Sequence, residues 1–72
     1  MREYLKILRV NAGLSQQSAA ELLGISQNYL SEIENDNRQM NIRLKLLKDF
    51  SRVYGVPLGD LISNETREEV HP

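Results

Sequence analysis

Seventy-two residues carry nine Lys and Arg against ten Asp and Glu, a net charge near −1, with no cysteine and no tryptophan. A chain of this length reads as one domain that buries only about 60–65% of its unfolded surface, so helix caps and short loops weigh heavily in its stability. The absence of cysteine excludes disulfides, thiolate nucleophiles and cysteine-held metals, no apolar run approaches the ~18–20 residues of a membrane span, and no signal-peptide pattern opens the sequence.

In chain order, Tyr4, Leu5 and Leu8 recur at helical spacing and predict a first helix from Arg2 to about Asn11, stopped by Ala12-Gly13. Leu14 packs beneath as the chain turns. Ser15 offers a side-chain oxygen at an N-cap position, and Gln16 to Leu23 contains no breaker. Gly24 follows where this second helix must stop, since glycine alone takes the left-handed conformation without a Cβ penalty. Ser26 can cap again, so a third helix starts almost at once and runs to Asn35. Helix, glycine turn and helix in so little chain form a helix-turn-helix pattern.

Rotation along the third helix sends Leu30 and Ile33 one way, with Tyr29 and Ser26 at their margin. Asn28, Ser31 and Asn35 point the other way, flanked by Gln27 and Glu32. Amides and a hydroxyl on the wet face of a helix suit base edges: Asn and Gln bond bidentately to adenine, and Ser to several bases. The bland reading of the same residues is a solvated helix surface.

Beyond a polar connection (DNRQMN), Asn41 is read as the N-cap of a fourth helix, Ile42 to Tyr54, with Leu44, Leu47, Phe50, Ser51 and Tyr54 toward the core and Leu46 and Val53 at its edge. Lys45, Lys48, Asp49 and Arg52 fall on wet faces. Gly55 stops this helix, Val56 packs back, and Pro57 suits the start of a short fifth helix, Leu58 to Ile62. Residues 63–72 are polar and acidic and are read as a frayed tail after a domain of residues 1–62. Ser63 or Asn64 with Glu65 is the one place there where a further helical turn could start. His71, the single histidine, has no scaffold around it and is read as a solvated tail residue.

The stretches LSQ at 14–16, LLGIS at 22–26, YLSEIEN at 29–35 and GVPLGDLI at 55–62 resemble the Cro/phage-repressor-like (XRE-type) helix-turn-helix DNA-binding domains, over roughly Tyr4 to Ile62. The resemblance implies an all-α, compact five-helix lambda-repressor-like fold in which helices 2 and 3 form the helix-turn-helix. It implies sequence-specific binding of double-stranded DNA by a transcriptional regulator, a repressor, acting as a homodimer on a palindromic operator with half-sites about one helical turn (~34 Å) apart. Gln27, Asn28 and Glu32 fall on base-contacting positions of the family, and Ser31 joins them from its place on the wet face. Glu32 stands where glutamine is sometimes found; its carboxylate accepts from cytosine N4 or excludes wrong sequences. Gln16 matches a family position that contacts a phosphate and braces the recognition helix. Ser26, Asn35 and Arg38 are further phosphate candidates, while Tyr29 either reaches a phosphate or covers the core.

The resemblance also pairs Arg9 with Glu34 as a structural ion pair, against the alternative of two solvated charges. It places a dimer contact on the fifth helix, at Leu58, Leu61 and Ile62, which would otherwise finish the monomer core. The connection after Asn35 departs from the family in three ways: Asp36 where glycine is often found, no proline a few residues later, and a length about two residues greater than is common. No enzyme chemistry, cofactor, metal or small-molecule ligand is expected, and the implied setting is the cytoplasm of a bacterium or a phage-infected host. The net charge is low for a DNA-binding chain. Its distribution is not: Arg38 to Arg52 holds five basic residues against Asp49 alone, and residues 60–72 hold four acids against Arg67 alone. A protein-interaction role, as an antitoxin or a docking helix-turn-helix module, is the second reading.

Overall fold

Apolar residues at three- and four-residue spacing, punctuated by glycines and capping serines, set up helices. In the computed structural model, which describes residues 3–35 and 41–67, they are α1 (Glu3–Asn11), α2 (Gln16–Leu23), α3 (Gln27–Asn35), α4 (Leu44–Tyr54) and α5 (Leu58–Arg67). This is the all-α five-helix architecture expected.

The caps are local and legible. Ser15 is extended (φ −74°, ψ 166°) and its Oγ accepts from the Ser18 N–H at 3.1 Å. At the far end of α2, Gly24 sits at φ 75°, letting its own N–H reach the Glu21 carbonyl and the Ile25 N–H reach the Ala20 carbonyl. Those paired bonds satisfy two carbonyls that a helix end otherwise leaves open. Gly13 and Gly55 end α1 and α4 in the same left-handed conformation. After Gly55, the Ser51 hydroxyl donates to the Val56 carbonyl at 2.5 Å and pins the turn into α5.

α2 packs against both α3 and α4, α1 lies on α3, and α5 lies on α4. Between them Leu5, Ala19, Leu30, Ile33, Phe50 and Leu61 are fully buried, with Ala20, Leu23, Leu47 and Tyr54 close behind. The alanines let helices cross closely. Each large side chain contributes on the order of 1.5–3 kcal/mol through burial. The Phe50 and Tyr54 rings meet at a tilt of 50°, centroids 5.4 Å apart.

Three expectations are corrected. Asn41 does not cap α4: Arg43 occupies the cap position in extended conformation without a side-chain cap bond, and the helix starts at Leu44. Ile42, half-buried, packs against the core from the segment before the helix. Leu44 does not face the core. It is 53% exposed, because it sits about a quarter turn from the centre of the Leu47, Phe50 and Tyr54 stripe, at the open end of the helix. Finally, α5 does not stop at Ile62 but runs on to Arg67. The added turns are polar yet held: the Asn64 side chain donates to the Asp60 carbonyl at 2.8 Å, and the Tyr4 phenol of α1 donates to the Glu65 carboxylate.

Candidate nucleic-acid interface

α3 begins three residues after α2 ends, and Ser26 organises its first turn. The Ser26 Oγ accepts from the Tyr29 N–H at 3.0 Å, and its carbonyl accepts from the Leu30 N–H at 3.1 Å. Leu30 and Ile33 are buried against α2 and α1, which turns the opposite face outward. On that face Gln27, Asn28, Glu32 and Asn35 are exposed and Ser31 is half-buried. The Asn35 amide donates weakly to the Ser31 Oγ at 3.4 Å, leaving the Ser31 proton for another acceptor. The structure therefore brings all four proposed base readers into one row.

Behind this row, the C-terminal end of α3 is fixed by a charged network. Arg9 Nε donates to Glu34 Oε2 at 2.7 Å and Nη2 to Oε1 at 3.3 Å, while Nη1 donates to the Leu14 carbonyl at 3.0 Å. Gln16 Nε2 donates to Glu34 Oε1 at 3.1 Å. The Glu34 carboxylate thus ties α1 and the head of α2 to α3, and Arg9 in turn holds the turn after α1. Both charges are nearly out of water, Arg9 at 8% exposure and Glu34 at 6%, so a two-point guanidinium grip is needed to offset their desolvation.

Tyr54 abuts this cluster. Its hydroxyl is buried with no hydrogen-bond partner among the described residues. Burial, reinforced by the negative charge of Glu34 and opposed by Arg9, pushes its pKa up to about 12. Sequence reasoning saw Tyr54 only as a core residue, and no sequence signal marks its place beside the ion pair.

At the flank of α3, the turn between α2 and α3 and the start of α4 enclose a groove of about 260 Å³, lined by Gly24, Ile25, Tyr29, Arg43, Lys45 and Asp49 among others. Tyr29 packs partly on the core, as one of its two expected roles required, and it also lines this groove. Arg43 and Lys45 are exposed and have no ion-pair partner among the described residues, whereas Asp49 meets Arg52 at 3.3 Å. The groove is therefore basic. Sequence reasoning gave Arg43 and Lys45 no contact role; only the fold sets them beside Tyr29.

The remaining expected residues divide. Gln16 and Ser26 border the helix-turn-helix, and Arg38 lies outside the described residues, as do Asp36 and the body of the long linker. Leu61, expected at a dimer contact, is fully buried within the monomer and is withdrawn from that role. Leu58 is half-buried against the core, and Ile62 keeps 38% exposure.

Two short helices joined by a glycine-capped turn, the second anchored from behind and polar in front, define a helix-turn-helix domain. The chain belongs to the helix-turn-helix family, whose profile matches residues 5–61. It is similar to the HTH-type transcriptional regulator PuuR of Escherichia coli (strain K12) and to the protein of that name in Shigella flexneri, 32% identical to each over 65 residues. Those residues are 90% of this chain and 34% of each relative, so the chain spans about a third of the length of the curated relatives it matches. No solved structure matches it. What the chain shares with the family and with these relatives is the helix-turn-helix domain itself. Among the described residues no helix is long and apolar enough to cross a membrane.

Proposed function

We propose that this chain is a sequence-specific repressor that binds a palindromic operator as a homodimer, in the cytoplasm of a bacterium or of a phage-infected host. The observation that carries the reading is the polar row of α3, held rigid from behind by the Arg9–Glu34–Gln16 network. α3 enters the major groove, which admits a helix, and its N-terminal residues meet the bases. Gln27 and Asn28 read first, with Ser31 and Glu32 behind them. Gln16 keeps a second amide N–H for a phosphate oxygen, and the open N–H groups at the head of α2 favour the same anion. Ser26, Tyr29, Asn35 and Arg38 take flanking phosphates, joined by Arg43 and Lys45 from the basic groove. One such unit reads few base pairs, so useful specificity requires two. Ile62, with Leu58 at its edge, supplies the apolar contact between them.

The test is selection of binding sites from a randomised duplex library by the purified protein at low salt. A palindrome with half-sites about one helical turn (~34 Å) apart is expected. A single enriched half-site would remove the dimer. No enrichment by a demonstrably folded protein would replace the reading with a docking or antitoxin module.

A further inference from the structure

On the side of α1 turned away from Leu5 and Arg9, two large apolar side chains stand in water: Ile7 at 53% exposure and Val10 at 57%. They lie one turn apart, and exposed Lys6 adjoins Val10 on the same face. Beside this ridge, α1 and α5 enclose a groove of about 360 Å³. Ile7, which is thus both ridge and groove wall, lines its apolar side with Leu8, Val56 and Leu61, and Asp60 and Asn64 of α5 form a polar wall. Asp60 is exposed, and neither it nor Lys6 has an ion-pair partner among the described residues. Asp60 and Asn64 lie across α5 from Ile62, so this face is separate from the operator-dimer contact proposed above.

We propose that the α1–α5 face takes a second copy of this chain, the Ile7–Val10 ridge of each copy seated in the groove of the other, with Lys6 of each beside Asp60 of the other. A two-fold contact requires one patch that complements itself. Here a convex apolar ridge and a concave apolar groove stand next to each other, so each copy offers both halves. The charges repeat the pattern, with a cation on the ridge and an anion on the groove wall, neither paired among the described residues. A two-fold axis makes that ion pair twice. A partner of other chemistry needs only one half, whereas a second copy uses both.

The contact needs no DNA, and it stands or falls independently of the operator reading. Sedimentation velocity of the DNA-free protein at low salt, over a range of concentrations, tests it. The expected result is reversible self-association, weakened on the order of tenfold or more by either Lys6→Glu or Asp60→Lys and restored by the double exchange. Val10→Glu is expected to weaken it as well, with far-UV circular dichroism checking that each variant stays folded. A monomer at every concentration overturns the proposal. So does a double exchange no better than its parents, or association indifferent to Val10→Glu, which would place the contact elsewhere. Binding of each variant to a single DNA half-site, measured separately, should be unchanged; loss there would count against the DNA reading, not this one.

Discussion

The guanidinium of Arg9 and the carboxylate of Glu34 meet at 2.7 Å across 25 positions of sequence, almost excluded from water. Their pairing ties α1 to the C-terminal end of α3. Arg9→Met would leave Glu34 buried without its cation, and the expected loss is about 3–5 kcal/mol of unfolding free energy. Replacing both residues by apolar ones of similar volume should cost much less. Urea unfolding of the two single variants and the double variant checks this. Equal stability of the single variants and the wild type would mean that the pair holds nothing.

Gly24 isolates a backbone effect. A Cβ built there meets nothing within 4 Å, so crowding is absent, yet φ is +75°. Gly24→Val is therefore expected to destabilise by about 1–2 kcal/mol or more through the left-handed conformation alone, with β-branching adding to it. Thermal unfolding reads the change, and an unaltered midpoint would contradict the turn.

Gln27→Ala and Asn28→Ala should each cost about 1–3 kcal/mol on the preferred operator and relax selectivity at one or two base pairs. Competition binding against single-base operator variants distinguishes this from a general effect. Identical losses on every sequence would remove both residues from base reading.

Arg43→Ala and Lys45→Ala make the opposite pattern. Each should weaken binding to all duplexes alike and lower the log–log salt slope by about 1, the signature of one lost phosphate contact. Titrations at several salt concentrations supply the slope. An unchanged slope would return both residues to the solvated surface.

The Tyr54 phenol predicts an alkaline limb of stability. Its pKa stands at about 12 in the folded chain against an ordinary value of 10.0. The folded state thus holds the proton more tightly, and its advantage is full below pH 10. As pH rises from about 10 to about 12 the unfolded chain ionises first, so stability falls, with a slope approaching roughly 1.4 kcal/mol per pH unit. Tyr54→Phe should flatten that part of the profile relative to wild type. At neutral pH it should leave stability equal or raised, because it removes a buried hydroxyl with no partner among the described residues. Parallel profiles for the two proteins would refute the assignment.

Signals that act within a few residues determine much of this protein without reference to the rest. Ser15, Gly24 and Ser26 fix the helix-turn-helix through bonds no more than a turn or so long, and the apolar spacing of Leu30 and Ile33 decides which face of α3 turns outward. That is why the row from Gln27 to Glu32 was legible. Gly55 likewise marks the end of α4, since a left-handed residue is a local requirement. The tertiary structure decided what depends on a distant neighbour. Ile42 packs partly against the core from outside α4 and Leu44 is left in water, because the core lies on one side of that helix and periodicity alone gives the stripe no width. α5 outruns its apolar residues, with the Tyr4 phenol of α1 reaching Glu65 in its polar extension. Tyr54 sits beside Glu34, and Arg43 and Lys45 beside Tyr29, through helix packing that no spacing encodes. Short-range hydrogen bonds and periodicity are written residue by residue along a chain; desolvation and charge pairing belong to whichever groups the packed core brings together.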